Sequence, residues 1–384
     1  MRKPMASAAV IGGGPAGSMA ARLLAGRFDV TVLESRATSG DPVQCTGLIT
    51  EESVRMSGIR PDILNTVYGA KVHFPGGGTI SVRSNKPKGV LVDRHDFDMR
   101  MAGAAMDAGA EYRYSERFGR AVFLPDKVSV ISSRGESDAD LLIGADGHTS
   151  SVLRNAGYAP PRFVRGIQVD IKHRMEDQEI MELRVGSAAP GSFSWEIPLG
   201  DHTRVGLCTR WSAGPPWDHL GRLLTKAGLD GKEVVSKVSG KIPVGGVDRT
   251  FGDRMMLIGD AAGQVKPVSG GGIYPMLKAA PHLASAAFRA LDEGDFSSKR
   301  LSGYEKGWKG EVGGELKRGC TMVKMYRKMS DEDLDRVFIS ADTPEMRSIL
   351  NDIDLDAPSK VVLRMLRHPV LALRLVPAVM RAVI

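Results

Sequence analysis

Three cysteines, Cys45, Cys208 and Cys320, are scattered over 384 residues, and no two of them form a Cys-x-x-Cys pair. Zinc sites and cysteine-ligated iron–sulfur clusters need several such ligands close together, so no metal is expected. Sparse, unpaired cysteines also fit a reducing, intracellular compartment. No stretch of about 18 apolar residues occurs, so no membrane-spanning helix is expected. Residues 1–9 contain two basic side chains but lack the apolar run of a signal peptide, which makes a cytoplasmic location the expectation. The histidines show no metal-like spacing, there is no internal repeat, and no nucleic-acid partner is expected.

Glycine, in contrast, is abundant, with 45 in the chain against an average near 7%. Clusters such as Gly12-Gly13-Gly14, Gly76-Gly77-Gly78 and Gly270-Gly271-Gly272 mark tight turns or close backbone approach to a ligand. The net charge of +7 is uneven. Residues 360–384 hold Lys360, Arg364, Arg367, Arg374 and Arg381 among apolar residues and no acid at all. That pattern fits peripheral contact with an anionic membrane, or a C-terminal helix packed on the core with its cations in water.

The first 34 residues read as strand, glycine turn, helix, strand. Gly12-x-Gly14-x-x-Gly17 forms the turn, with Ala16 inside it, and Glu34 follows the second strand 22 residues after Gly12. The first glycine permits the turn, the second lets the backbone approach a pyrophosphate, and the third lets helix pack on strand. The helix N-terminus then offers free N–H groups to phosphates, and an acid at Glu34 can hold ribose hydroxyls. Together these predict a dinucleotide site. Further on, a hairpin is expected between residues 70 and 82, a helix over 96–108, β-rich sequence over 163–210, a helix from about Gly272, and helices beyond residue 300.

Two later segments separate one dinucleotide from another by resemblance. Leu141-Leu142-Ile143-Gly144-Ala145-Asp146-Gly147 and Met256-Leu257-Ile258-Gly259-Asp260-Ala261-Ala262 resemble the two Asp-containing signatures of glutathione-reductase-like flavoproteins of the hydroxylase branch. The resemblance implies bound FAD, with Asp260 on the ribityl chain. It implies an α/β fold in which a Rossmann domain (1–69, 87–160 and 245–300) is interrupted by an antiparallel substrate domain (70–86 and 161–244) and followed by a helical region (301–384). Gly271, Gly272 and Ile273 would aim N–H groups at the isoalloxazine. Arg94, ahead of a helix, matches an arginine of this group and would contact the cofactor or form an interdomain salt bridge.

The layout as a whole resembles the geranylgeranyl reductase family. The resemblance also covers Pro42-Val43-Gln44-Cys45-Thr46-Gly47, Gly263-Gln264-Val265-Lys266-Pro267 and Phe193-Ser194-Trp195-Glu196-Ile197-Pro198 with Gly206 beyond it. The family pattern has tyrosine where Phe193 stands, phenylalanine at Ile197 and glycine at Cys208. It implies reduction of isoprenoid double bonds in membrane lipid precursors. Phe193, Trp195 and Pro198 would meet the substrate, and Cys45, near the flavin, would supply or relay a proton. With only one glycine fingerprint present, electrons would come from a transient external donor: ferredoxin, reduced deazaflavin or NADPH. Trp195-x-Ile197-Pro198 equally matches half of a flavin-dependent halogenase motif, which keeps a monooxygenase or halogenase open, as well as an electron-transfer flavoprotein.

Overall fold

The computed structural model describes residues 5–367. Its central layer is a six-stranded sheet whose strands lie in the order Phe251–Gly252, Met255–Leu257, Leu141–Gly144, Ser7–Ile11, Asp29–Leu33 and Glu111–Arg113. All neighbours are parallel except the first pair. Ala8 to Ile11 of the central strand are continuously apolar because both faces of that strand are covered. Ala8 and Val10 face a cluster shared with the helices Pro15–Leu24, Arg94–Asp107 and Ile273–Glu293. Ala9 and Ile11 face the three-stranded sheet of Phe118–Phe123, Val128–Ser132 and Gly135–Ala139.

Helix starts follow local chemistry. Pro15 stands at the first helical position, where its missing N–H does no harm. Asp93 caps Arg94–Asp107 by accepting from the His95 and Asp96 N–H groups. Both helices therefore begin two or three residues earlier than hydrophobic periodicity alone indicates.

A second, seven-stranded sheet has the order Val234–Val244, Arg162–Ile171, His202–Arg210, Ser194–Leu199, Ile180–Arg184, Gly69–His73 and Thr79–Arg83. It is antiparallel apart from the pairing of Ile180–Arg184 with Gly69–His73. One face buries Ile167, Val169, Val205 and Leu207 under the helix Pro216–Lys226, and the other carries Val164, Trp195, Ile197 and Cys208. The edge strand Val234–Val244 is not evident in the sequence, because its exposed positions are Lys237, Ser239, Lys241 and two valines. A small sheet of Leu48–Ile49, Gly89–Val92 and Ile63–Val67, which the sequence does not announce, packs Val67 and Leu91 with Trp195 and Ile197 of the seven-stranded sheet.

The expected hairpin lies at Gly69–His73 and Thr79–Arg83, and its glycines have a specific use. The Gly76 N–H donates to Asp335 at 2.8 Å, and a Cβ on Gly78 would fall 2.4 Å from the Phe338 ring. The turn is thus a seat for the helix Asp331–Ala341. Helices fill the chain beyond Ser298 as expected. The last described one, Ser359–Arg367, sets Lys360 and Arg364 against Asp354 and Asp352, 3.6 and 3.3 Å away. The remainder of the basic 360–384 segment, residues 368–384, lies outside the described residues. No helix among the described residues is long and apolar enough to cross a membrane.

Candidate functional site

The glycine turn opens at the C-terminal end of Ser7–Ile11, the end at which open α/β sheets bind ligands. Gly12 has φ +104°, and a Cβ there would lie 2.5 Å from the Ala145 carbonyl oxygen. A Cβ on Gly17 would lie 1.8 Å from the Gly12 oxygen, so helix and strand pack backbone to backbone. Gly14 differs: a Cβ there meets nothing within 4 Å, and the helix behind it has no side-chain cap. The turn therefore presents uncapped N–H groups to an open space, which suits a pyrophosphate. Glu34 reaches back to accept from the Gly13 N–H at 2.7 Å and holds the Arg36 N–H at 2.8 Å, so its carboxylate stands beside the turn.

The two later turns converge on the same crevice. Asp146 accepts from the Ser150 hydroxyl and from the Ser151 and Val152 N–H groups, so its carboxylate caps the short helix Ser151–Asn155. Gly147 sits in the left-handed region at φ +76°. Gly259 touches the first turn, since a Cβ there would lie 2.7 Å from that of Ala16. The Gly259 N–H is held by Gln264, whose amide donates to Tyr304; the Tyr304 hydroxyl in turn donates to the Leu257 carbonyl. Gln264 of the Gly-Gln-Val-Lys-Pro stretch is thereby a buried brace for the Gly-Asp turn.

Asp260 is half-buried in the crevice. Burial raises its pKa to about 6 against the opposing pull of the Arg94 guanidinium. Gly272, whose Cβ position is 2.9 Å from Asp260 Oδ1, begins the helix Ile273–Glu293 without a side-chain cap. In the ligand-free chain the raised pKa means that folding favours the protonated carboxyl. This contribution is most favourable below about pH 4 and is lost as the pH rises through about 6. Asp260→Asn should therefore be more stable than the parent at pH 7 without ligand, and the difference should vanish toward pH 4. Urea unfolding across that range is the check, and equal differences at both pH values would refute it.

Arg94 pairs with Asp98 on its own helix, Nη2 to Oδ1 at 2.9 Å, both side chains being nearly buried. Burial acts to lower its pKa, but Asp98 and Cys45 outweigh that and hold the guanidinium above its ordinary range. The ion pair is thus local to one helix, and the second neighbour of Arg94 is the Cys45 thiol. Cys45 is half-exposed in the loop before Gly47, whose N–H donates to its Sγ at 3.4 Å. Gly47 has φ +87°, and a Cβ would collide with the Val92 carbonyl at 2.6 Å.

The substrate-wall residues separate by the two-residue period of a strand. Phe193 and Trp195 share one face, with ring centroids 5.9 Å apart. Pro198 falls on the opposite face and is not brought together with them. Trp195 lies over Gly206, its cross-strand neighbour, where a Cβ would be 2.4 Å from the ring. Gly206, which also lies directly opposite Gln168 on the next strand, leaves the space that the indole occupies. Among the described residues the indole Nε1–H has no hydrogen-bond partner.

Several residues of this region escape a reading of the sequence. Lys266 is buried and ion-paired with Asp356 at 2.7 Å, and Asp356 also accepts from the Thr50 hydroxyl at 2.5 Å. Gln168 and Arg204 grip the Cys45 loop from the seven-stranded sheet. Ninety residues separate Lys266 from Asp356 and more than 120 separate Cys45 from Gln168, so no local pattern announces either contact.

A parallel sheet with a glycine turn and a Gly-Asp turn at one crevice, joined to an antiparallel sheet, defines the glutathione-reductase-like, hydroxylase-type class of fold. A geranylgeranyl bacteriochlorophyll reductase-like protein from Thermoplasma acidophilum superposes with a TM-score of 0.84 at 24% identity, covering 97% of this chain and 98% of its own. The halogenase PltM in complex with phloroglucinol and FAD superposes at 0.69 with 14% identity, covering 94% and 86%. At those identities the likeness is one of fold. The chain belongs to the family of the digeranylgeranylglycerophospholipid reductases. It is 32% identical over 381 residues to digeranylgeranylglycerophospholipid reductase 2 of Methanothermobacter thermautotrophicus, covering 93% of this chain and 98% of the relative. It is 31% identical to the digeranylgeranylglycerophospholipid reductase of Methanothrix thermoacetophila, covering 93% and 95%. Residues 8–365 also match the family model described as Lycopene cyclase protein.

Proposed function

We propose that this chain is an FAD-dependent reductase of isoprenoid carbon–carbon double bonds, acting on geranylgeranyl chains of membrane lipid precursors. The observation that carries the reading is the convergence of three features: an open, uncapped dinucleotide crevice, a thiol at its edge, and an apolar wall bearing Trp195. The crevice residues fit the cofactor. Gly12, Gly14, Ala16 and Gly17 would receive the pyrophosphate, Glu34 a ribose, Asp260 the ribityl chain, and the N–H groups from Gly271 to Ile273 the isoalloxazine edge. Asp146 and Gly147 would shape the crevice floor, and Arg94 would hold Cys45 beside it. Residues 1–69, 87–160 and 245–300 would form the cofactor domain, and 70–86 with 161–244 the substrate domain, with 301–384 as the helical region.

Bound FAD would supply a hydride to one alkene carbon. The chain must then deliver a proton to the other carbon and stabilise positive charge in between, because an isolated alkene is barely polarised. The Trp195 face can attract such charge by about 1–2 kcal/mol, which is small beside a whole barrier. Orientation of the alkene against this wall and a positioned acid contribute more. Cys45 is that acid. Electrons would reach the site from ferredoxin, reduced deazaflavin or NADPH, and residues 360–384 would rest peripherally on the inner face of the membrane.

The test is anaerobic: reduce the flavoprotein with dithionite, add geranylgeranyl lipid, and follow flavin absorbance with product mass. Reoxidation with a gain of two hydrogens per double bond is the expected result. Turnover that appears only when oxygen is admitted would replace the reductase by a monooxygenase or halogenase.

A further inference from the structure

The Cys45 loop belongs to no helix or strand, yet a proton donor must be held accurately. What holds it comes from the antiparallel sheet. Gln168, 5% exposed, donates through Nε2 to the Cys45 carbonyl at 3.2 Å and accepts from the Thr46 hydroxyl at 2.9 Å. Arg204 donates through Nη1 to the Thr46 carbonyl at 2.6 Å. Its other edge is fixed by Asp170, which it meets at 2.7 and 2.8 Å in a bidentate pair. Such a fork carries geometric specificity that a single contact lacks.

The register gives these contacts a consequence. Gln168 lies directly opposite Gly206, and Asp170 directly opposite Arg204. Gly206 in turn lies opposite Trp195. One row across the sheet therefore runs from Trp195 through Gly206 to Gln168, and ends on the backbone of Cys45. The strands that present the aromatic wall also set where the thiol stands relative to it.

We infer that Gln168 and the Arg204–Asp170 pair are positioning residues for Cys45, fixing the thiol against the substrate wall by sheet register. The inference rests on the reading of Cys45 as proton donor. An error of about 1 Å in such a group costs on the order of 100-fold in rate. Neither Gln168 nor Arg204 needs to touch substrate or flavin to have that effect.

The experiment is a mutant cycle in the flavin-loaded enzyme. Gln168→Leu and the paired replacement Arg204→Met with Asp170→Leu, which leaves no buried charge unpartnered, should each lower kcat by roughly 10–100-fold with KM little changed. In a Cys45→Ser background the same changes should add almost nothing, because the group they position is gone. Losses that multiply undiminished in that background, or that fall on KM instead, would overturn the inference. Iodoacetamide labelling of Cys45, read by peptide mass, gives a second and activity-free measure. It should quicken by about tenfold in both variants as the loop loosens, with Cys320 unaffected. Unchanged labelling also overturns the positioning role. Altered labelling with full turnover in Cys45→Ser instead removes the proton-donor reading and leaves the positional one standing.

Discussion

Gly14→Val should fold like the parent chain and yet emerge from purification without flavin. The backbone at Gly14 is extended, with φ −75° and ψ −177°, a conformation open to any residue, and the space around its Cβ position is empty. Valine there strains nothing and collides with nothing in the protein. It does occupy the approach to the uncapped helix N-terminus, where a pyrophosphate must come within hydrogen-bonding distance. Affinity for FAD should fall by on the order of 100-fold or more, about 2.7 kcal/mol, while the melting temperature of the flavin-free protein stays within experimental error. Gly17→Ala is the contrasting case. Its Cβ would sit 1.8 Å from the Gly12 oxygen, so helix and strand must part and the flavin-free protein itself should lose stability. Flavin absorbance together with thermal melts of both flavin-free proteins distinguishes the two. Full flavin content in Gly14→Val would remove the crevice from its assigned role.

Asp356→Ala should be among the most destabilising single changes in the chain. It leaves the buried Lys266 ammonium with the Leu355 carbonyl, 2.7 Å away, as its remaining hydrogen-bond acceptor, and it also releases the Thr50 hydroxyl. Removing one partner of a buried pair typically costs about 3–5 kcal/mol, a large share of the roughly 5–15 kcal/mol that stabilises a folded protein. Replacing both members, Lys266→Met with Asp356→Leu, should recover most of the loss, since no buried charge then remains. Denaturant titration measures both. The ion pair also fastens residues 352–359 over the Gly270–Gly272 loop, where Lys266 Cε lies 3.0 Å from a Cβ position on Gly271. A loss of flavin affinity should accompany the loss of stability. An Asp356→Ala protein as stable as the parent would mean that the pair is not formed in solution.

Which parts of this molecule could be read from the sequence follows from the range of the interactions involved. Gly12, Gly14 and Gly17 announce themselves because turn, backbone approach and helix packing all act within six residues. The strand at Leu141–Gly144 is legible as a short apolar run that stops at a glycine, and the hairpin at Gly76–Gly78 as glycines between alternating residues. Asp146 reads from the sequence as part of a cofactor-binding Asp-Gly signature, and in the structure its carboxylate is engaged by the helix it caps. Pro198 was grouped with Phe193 and Trp195 by motif, and the alternation of the strand sets it on the other face. The edge strand Val234–Val244 is not legible, because its water-exposed edge carries Lys237, Ser239 and Lys241 where a central strand carries valines and isoleucines.

The sequence by itself determined that this chain has a dinucleotide turn, two Gly-Asp or Asp-Gly turns in the right order, and a family resemblance that its relatives bear out. Those are local patterns, fixed by backbone sterics over a few residues. Only the tertiary structure decided that Arg94 faces Cys45, that Gly206 makes room for Trp195, that Lys266 is neutralised by Asp356, and that Gln168 and Arg204 hold the thiol loop. Apart from Trp195 and Gly206, which face each other across neighbouring strands, these contacts join segments tens to more than a hundred residues apart, and all depend on sheet register and helix seating. Register is set by the packing of whole faces, so it belongs to the assembled chain and to no segment of it.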